Sequence, residues 1–319
     1  MNASYDKTAA VVVLPPIRGK RLEDRSLRAW LAQSDLTLDA EPRELLRRLT
    51  AELGLPYPDQ GLAALRMWGQ TGDRPNVWIA AADPVYLEPR LDHLCLHALR
   101  GAGIPSSDLR SLFEHLQETL ADDQRYGFAR LGSSGYLRAA APISTSDVPS
   151  YVVHGREPGE FLPSGEHTAM HRNILSEIEM ALHEHEVNLR RMEEGEYPVN
   201  SLWLWGGGTA PEKITRPQPP LFADEPLLAG YWESATAVGE PWPGSFAACA
   251  DASLHGFVAV TPEADQRSVT LQAYLEELRG LLRVGRVSRL ILLFRDGLRA
   301  EVHRSHHLKF WRRDNELLS

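Results

Sequence analysis

Cysteine is scarce in this chain of 319 residues, where Cys95 and Cys249 lie far apart in the sequence. That spacing argues against a disulfide framework and favours a reducing compartment, so we expect a cytoplasmic protein. No apolar run approaches the roughly 20 residues that a membrane-spanning helix needs. The N-terminus also has no basic segment followed by an apolar stretch and a cleavage site. We therefore predict neither a membrane anchor nor a signal peptide.

Positive charge is also in deficit, because the formal net charge is −9. Such a field opposes the wrapping of nucleic acid, which leaves the basic stretch 303–313 as the candidate contact. Its Phe310 and Trp311 would stack on bases while its cations contact phosphates. The alternative is a last strand whose aromatic side chains pack while the cations stay in water. We favour this alternative and do not expect nucleic acid as a partner.

The apolar content of 43% and charged content of 24% are those of an ordinary globular protein. Strand-like runs such as Ala9–Leu14 alternate with helical patterns, which favours a parallel or mixed sheet with helices on both faces. The run 76–140 predicts the order strand, strand, helix, strand, strand. The longest predicted helix covers 167–195, and its apolar stripe consists of Leu175, Ile178, Leu182, Leu189 and Met192.

The stretch Val199–Glu212, VNSLWLWGGGTAPE, is the least ordinary part of the chain. Alternation over Ser201–Trp205 predicts a short strand that is buried on both faces and central in its sheet. Three glycines follow, and they allow either a sharp turn or the close approach of a ligand. Neither the lysine of a phosphate-binding loop nor a dinucleotide-binding fingerprint follows them.

Few residues are spaced for metal binding or nucleophilic catalysis. His167 and His171 have the spacing of a helical metal pair, but the glutamate that zinc proteases carry beside the first histidine is replaced by Thr168. We therefore favour a solvated helix face for this pair. Asp251 and His255 have no third partner, and both cysteines stand in apolar surroundings typical of buried thiols. The sequence thus predicts no metal site, no catalytic residue and no cofactor.

The helix and the tryptophan strand together, His183–Glu212, resemble a segment of the archaeal-type cofactor-independent phosphoglycerate mutases of the alkaline phosphatase superfamily. His185 corresponds to the family's histidine, and Glu186 replaces the proline that follows it. The other residues that match the family pattern are Val187, Asn188, Arg191, Gly195, Asn200, Trp203, Trp205, Gly206 and Gly208. Residues 82–87 (ADPVYL), 199–208 and 310–313 (FWRR) are similar to bacterial relatives grouped as RpfE-type regulatory proteins.

Three departures from that family bear on activity. Pro15 and Pro16 stand where active mutases have an Asp-Gly pair whose aspartate binds a metal. The segment 57–69 has no serine where the mutases have their nucleophile, and 258–269 has no histidine where they have late metal ligands. Phosphoryl transfer between two metals needs such ligands to hold the ions. The resemblance therefore implies the mutase fold without the mutase reaction.

We accordingly expect an α/β fold: an alkaline-phosphatase-like mixed sheet flanked by helices, formed by 1–75 and 141–319, with 76–140 as a small inserted α+β subdomain. The expected function is that of a non-catalytic regulatory or ligand-binding protein. A metal-dependent phosphomutase or phosphatase with an altered active site is the alternative, followed by a nucleic-acid-binding regulator. The expected partners are a small anionic metabolite, a protein or a second copy of the chain. The expected ligand site consists of Asn188, Arg191, Asn200, Gly206, Gly207 and Gly208. An equally weighted alternative is that Arg191 and the two asparagines only connect the end of the helix to the sheet.

Overall fold

The structure is a computed structural model that describes residues 9–18, 22, 24–39, 44–99, 103–122, 125–164, 168–212, 218–253, 255–263, 268–308 and 318. The chain divides into two compact units. The first comprises 1–57 and 213–319, and the second comprises 58–212. The second unit extends beyond the segment 76–140 on both sides, because a helix before it and a strand after it pack on the same sheet.

Strands and helices alternate along much of the chain. The strands are β1 (Ala9–Leu14), β2 (Asp35–Leu38), β3 (Trp78–Pro89), β4 (Leu94–Ala98), β5 (Tyr126–Leu131), β6 (Ser134–Ala139), β7 (Ser201–Gly208), β8 (Leu221–Phe222), β9 (Gly239–Glu240), β10 (Phe257–Val260), β11 (Arg289–Phe294) and β12 (Leu298–His303). The helices are α1 (Arg25–Ala32), α2 (Leu45–Leu53), α3 (Leu62–Thr71), α4 (Ser106–Leu120), α5 (Ser150–Val153), α6 (Thr168–His183), α7 (Glu186–Glu193), α8 (Pro226–Ser234), α9 (Phe246–Ala252) and α10 (Ser268–Val284). None of these helices combines the length and apolar character that a bilayer crossing requires.

The first unit contains a seven-stranded mixed sheet in the order β2-β12-β11-β1-β10-β8-β9. β1 lies in its middle and pairs in parallel with β10 and β11. Every residue of β1 is buried, which is the pattern of a parallel strand covered on both faces. One face, which includes Val12 and Leu14, packs on residues of α1, α9 and α10. The mixed α/β fold with helices on its sheets, predicted from the sequence, is confirmed.

The second unit contains a five-stranded antiparallel sheet, in which β4, β3, β6 and β5 follow one another and β7 joins β3. The predicted order of two strands, a helix and two strands over 76–140 is confirmed by β3, β4, α4, β5 and β6. Apolar residues of α4 and α6 cover one face of this sheet, where they meet Leu202 and Leu204 of β7. α3 packs against β3 and β7 and contributes Arg66 to the other face.

β7 carries the two tryptophans, and its register shows which face each side chain takes. Trp203 and Trp205 lie opposite Asp83 and Ala81 of β3, on the face away from Leu202 and Leu204, so the predicted alternation is confirmed. The predicted central position is wrong. Within the described residues β7 pairs with β3 alone, apart from a bridge at Ser146.

The outer edge of β7 is covered by the segment around Ser146 and Val148. The Ser146 amide donates to the Leu204 carbonyl and the Gly206 amide donates to the Ser146 carbonyl, at 3.0 and 2.9 Å. The Trp203 indole Nε1 donates to the Val148 carbonyl at 2.8 Å. The irregular segment thus pairs with backbone groups on the outer edge of β7, so this strand can be buried although no further strand lies beside it.

The predicted long helix over 167–195 is two helices, because the chain leaves the helical conformation at His185. The His185 backbone is extended (φ −65°, ψ 134°), and its side chain caps α7 by accepting from the Val187 amide. The break rotates the second half of the apolar stripe away from the core, so Leu189 and Met192 are about half exposed. His185 is thus the N-terminal cap of α7.

The prediction for the basic C-terminal stretch is tested in part. β12 ends at His303, and a 3-10 turn follows over Arg304–Leu308. Phe310 and Trp311, on which the stacking hypothesis depends, lie outside the described residues.

Replacement of Trp203 by alanine should lower the free energy of unfolding by about 3–5 kcal/mol, because it removes a large buried aromatic side chain. Trp203 is 4% exposed and donates a hydrogen bond to Val148. Urea denaturation of the full-length protein measures this change. Leu91→Ala is the control, since Leu91 is fully exposed and its truncation should cost less than about 0.5 kcal/mol. Equal midpoints for the two variants would contradict the burial of Trp203.

Candidate functional site

The parallel strands of the first unit end along one edge of the sheet. β1, β8, β10 and β11 run in the same direction, so their carboxyl ends lie on the same side. Ligands of open α/β sheets bind at that edge. The segments that form it are Pro15–Arg18 after β1, 223–225 after β8, 261–263 after β10 and 295–296 after β11. We call these four segments the carboxyl edge.

At the carboxyl edge, the aspartate that follows β11 is used to hold the loop that follows β1. The Asp296 carboxylate accepts from the backbone amides of Ile17 and Arg18 at 2.7 and 2.6 Å. Pro15 and Pro16 have no amide hydrogen, so these two amides are the donors that the loop offers after β1. Asp296 therefore supports the loop conformation with one carboxylate oxygen, Oδ2, in both bonds.

A guanidinium group lies at the carboxyl edge beside two glutamates. Arg295 Nη2 donates to the Thr261 carbonyl at 2.8 Å and lies 3.9 Å from Glu225 Oε1. Its Nη1 lies 3.5 Å from Glu263 Oε1. The Arg295 Nε is buried and has no hydrogen-bond partner among the described residues. The cation thus connects the ends of β8, β10 and β11, and one of its donors is unused.

A buried carboxyl group begins α2 in the same unit. Glu44 is 1% exposed and accepts from the amides of Leu46 and Arg47 at 2.6 and 2.9 Å, with Tyr57 Oη at 3.3 Å. Burial raises the pKa of the Glu44 carboxyl to about 7, although the amide hydrogen bonds oppose that rise. Arg48, in the first turn of α2, donates to the carbonyl of Phe294 at the end of β11. The start of α2 is therefore fastened to the end of β11.

The carboxyl edge has few free ligands for a catalytic metal pair. Its described segments contain no histidine. Asp296 is engaged by backbone amides, whereas Glu225 and Glu263 face the Arg295 guanidinium. Metal-assisted phosphoryl transfer depends on carboxylate and imidazole groups that can coordinate ions. The group that these glutamates face is a planar guanidinium, which is the type of side chain that binds carboxylates and phosphates.

Three of the residues expected to form a ligand site bond to backbone groups of the chain. The Asn188 side chain donates to the Leu182 and Val199 carbonyls and accepts from the Val199 amide, each at 2.8 Å. Arg191 donates to the carbonyls of Tyr197 and Gly103 at 2.9 and 3.0 Å. Asn200 exchanges two bonds with the backbone of Leu87. These contacts favour the structural alternative for the three side chains.

Two of the three glycines of β7, Gly206 and Gly208, let the start of α3 approach the strand closely, and Gly207 makes room for a side chain of β3. A Cβ at Gly206, where φ is +62°, would lie 3.0 Å from Leu62 Cβ, and one at Gly208 would lie 2.5 Å from Gly61 N. A Cβ at Gly207 would lie 2.5 Å from the Trp78 ring. The group that approaches these glycines is therefore part of the same unit.

Two of the remaining candidates, His171 and Asp251, lie within the described residues. His171 is 2% exposed, so the solvated helix face predicted for it is wrong, and burial lowers the pKa of its imidazole. Its partner His167 lies outside the described residues. Asp251 forms an ion pair with Arg286.

One group of metal-ligating residues was missed by the sequence analysis. Glu88, Cys95 and His97 come together on the β3–β4 hairpin. Cys95 and His97 are two apart on one strand, a spacing that places both on the same face. The third member, Glu88, becomes visible only when the strand register is known, because it lies on the neighbouring strand.

No protein-family model matches the chain. A stretch of 111 residues is 32% identical to the 2,3-bisphosphoglycerate-independent phosphoglycerate mutase of Methanosarcina barkeri and covers 34% of this chain and 28% of that protein. A stretch of 128 residues is 28% identical to the probable mutase of the same name from Geobacter sulfurreducens and covers 40% and 32% of the two chains. The matched stretches thus span less than a third of these relatives, and over them the chain is homologous to cofactor-independent phosphoglycerate mutases.

Two solved structures are similar over most of the chain. The cofactor-independent phosphoglycerate mutase from Thermoplasma acidophilum matches with a TM-score of 0.44 and 18% identity, covering 93% of this chain and 89% of that one. A protein from Pyrococcus horikoshii matches with a TM-score of 0.49 and 12% identity, covering 91% and 81%.

Arg191→Ala should lower the free energy of unfolding by about 1–3 kcal/mol, because it removes a buried guanidinium that donates charge-assisted hydrogen bonds to two carbonyls. Arg191→Lys should restore little, since one ammonium cannot reproduce the planar fork that reaches Tyr197 and Gly103. Denaturant unfolding measures both changes. Arg172→Ala is the control, because Arg172 is exposed on α6. A loss no larger for Arg191→Ala than for Arg172→Ala would refute the structural role.

Glu44 should make the first unit less stable as the pH rises from about 5 to 8. Because the folded pKa of about 7 lies above the unfolded value of 4.5, the folded state retains a proton that the unfolded state has released. The free energy of unfolding therefore falls through this window, by up to about 3 kcal/mol. Glu44→Gln should remove this slope, whereas Glu276→Gln, at an exposed site on α10, should keep it. Parallel stability profiles for wild type and Glu44→Gln would contradict the raised pKa.

Proposed function

We propose that this chain is a non-catalytic regulatory or ligand-binding protein on a phosphoglycerate-mutase-like fold, acting in the bacterial cytoplasm, whose ligand is a small anionic metabolite. The observation that carries the proposal is Arg295 at the carboxyl edge. Its guanidinium lies beside Glu225 and Glu263, and the side chain is 16% exposed. Homology to the mutases supports the fold on which this edge is built.

The lengths of the Arg295 ion pairs support exchange with a ligand. Charge-assisted hydrogen bonds between guanidinium and carboxylate are commonly about 2.7–2.9 Å long. The contacts with Glu263 and Glu225 are 3.5 and 3.9 Å, which is longer than that optimum. A phosphate or carboxylate that met Arg295 at the shorter distance would gain a stronger bond. The two glutamates keep the cation in place until then.

The alternative function is a metal-dependent phosphomutase or phosphatase with an altered active site. Its cations would need carboxylates that are engaged by the chain, Asp296 by two amides and Glu263 by Arg295. If Asp296 bound a metal ion instead, the loop after β1 would lose the two hydrogen bonds that its amides donate to this carboxylate. The non-catalytic proposal requires no such rearrangement.

The full-length protein should bind 3-phosphoglycerate without converting it. Isothermal titration in the presence of Mn²⁺ should show saturable binding that Arg295→Gln weakens about tenfold or more, as expected for the loss of a charge-assisted hydrogen bond. The same mixtures should contain no 2-phosphoglycerate above the level of a protein-free blank. Other phosphorylated and carboxylated metabolites, screened by thermal shift, identify the preferred anion.

Arg286→Gln is the matched control, because Arg286 is 47% exposed in its ion pair with Asp251 and stands away from the four segments of the carboxyl edge. It should bind as tightly as the wild type. Chelator-sensitive formation of 2-phosphoglycerate would establish the enzyme alternative. If no anion stabilises the wild type, or if the two arginine variants bind alike, Arg295 has no ligand role.

A further inference from the structure

The β3–β4 hairpin of the second unit presents four functional side chains on one face. Tyr86 lies opposite His97 and Glu88 lies opposite Cys95 in the antiparallel register. Opposed residues of a strand pair share a face, and so do residues two apart on a strand. Tyr86, Glu88, Cys95 and His97 therefore point to the same side. None of them belongs to the carboxyl edge or to the ligand site predicted from the sequence.

Three of these side chains bring their ligand atoms together. A carboxylate oxygen of Glu88, the Cys95 Sγ and an imidazole nitrogen of His97 all lie within 4.8 Å of one another. His97 Nε2 is 2.7 Å from Glu88 Oε2, and this hydrogen bond is the main cause that lowers the pKa of Glu88. Cys95 is 9% exposed, and the side chains of His97 and Glu88 are 16% and 25% exposed. The cluster is shielded but open to an ion from solvent.

We propose that Glu88, Cys95 and His97 form a binding site for a divalent cation of the zinc class. One thiolate, one imidazole and one carboxylate are the ligand types that zinc takes in proteins, at about 2.3, 2.0–2.1 and 2.0–2.2 Å respectively. Tetrahedral bonds of those lengths hold the ligand atoms about 3.3–3.6 Å apart. To admit the ion, the His97–Glu88 distance has to open by less than about 1 Å, and a pair of ligand atoms near the 4.8 Å limit has to close by about 1.2 Å. Harder cations such as Mg²⁺ prefer oxygen ligands and are disfavoured by the thiol.

The charges of the cluster suit a dication. Binding converts the Cys95 thiol to a thiolate and releases its proton to solvent, so the thiolate and the Glu88 carboxylate together neutralise the ion. His97 binds through Nε2 as a neutral imidazole, so the proton that lay between Nε2 and the Glu88 carboxylate moves to Nδ1 of the same ring, and a doubly protonated ring also releases one proton to solvent. Arg90 Nη2 lies 2.7 Å from Glu88 Oε2 and fixes the carboxylate from the outside.

Among the described residues, the rings next to the cluster supply no fourth ligand. The His154 ring meets the His97 ring edge to face at 5.8 Å, but its Nδ1 accepts from the Ala98 amide at 3.1 Å. A neutral imidazole that accepts at Nδ1 carries its proton on Nε2, so His154 is a donor and not a ligand. Tyr197 stacks on Tyr86 with ring centroids 4.8 Å apart and also meets His97 at 5.0 Å. The cation would thus keep one position for water or for an added ligand.

Cobalt titration of the chelator-treated full-length protein tests the site. Co²⁺ takes the same ligands as zinc, and a bound thiolate gives a charge-transfer band in the near ultraviolet. We expect that band to saturate at one equivalent of Co²⁺ and to disappear when one equivalent of Zn²⁺ is added. Cys95→Ser should abolish the band. Glu88→Gln should weaken Co²⁺ binding about tenfold or more, the loss that even an outer partner of a ligand produces.

Two matched variants distinguish the cluster from other sources of the signal. Cys249→Ser removes the other cysteine, which is buried in the first unit, and should leave the band unchanged. His154→Gln should also retain it. Circular dichroism and the thermal midpoint show that each variant is folded, and Cys95→Ala replaces Cys95→Ser if the latter unfolds. The proposal is overturned if the wild type gives no band, if the band survives the loss of Cys95, or if it requires Cys249 or His154.

Discussion

The carboxylate of Asp83 lies in the interior of the second unit, where an unpaired charge would cost several kcal/mol. Arg66 neutralises it at 2.7 Å, and the Trp205 indole and the Ser150 hydroxyl donate to its other oxygen at 2.7 and 3.1 Å. Arg66 also donates to the Gly135 carbonyl and to Tyr136. A single charge on β3 thereby fixes α3, α5, β6 and β7. The position of the tryptophan strand follows from it.

The same requirement, that buried polar groups find partners within the chain, decides what the first unit can do. Asp296 is engaged by the loop after β1, and Glu263 and Glu225 are held near Arg295. The carboxylates at this edge, where α/β proteins bind ligands, are thus already bonded to backbone amides or paired with the Arg295 guanidinium of the same chain. A catalytic metal pair would have to displace those partners.

Local patterns predicted the elements, and tertiary contacts decided the sites. The alternation of Leu202 to Trp205 gave the faces of β7 correctly, because side-chain direction along a strand is a local property. The role of Gly206 and Gly208 could not be predicted, since it depends on how closely α3 approaches the strand. The grouping of Glu88 with Cys95 depends on hairpin register in the same way. The break between α6 and α7 at His185 could have been predicted only from the capping role of its side chain. The apolar stripe, which continues across the break, predicted one uninterrupted helix instead.

We expect the carboxylates of the carboxyl edge to bind no metal ion, because the chain's own amides and the Arg295 guanidinium already engage them. Anomalous diffraction at the manganese absorption edge, from crystals grown with excess Mn²⁺, shows whether they do. We predict no anomalous peak within coordination distance of Asp296, Glu225 or Glu263, with the Arg295 guanidinium still beside the two glutamates. A manganese peak bonded to any of these three carboxylates, with Arg295 displaced, would contradict the account.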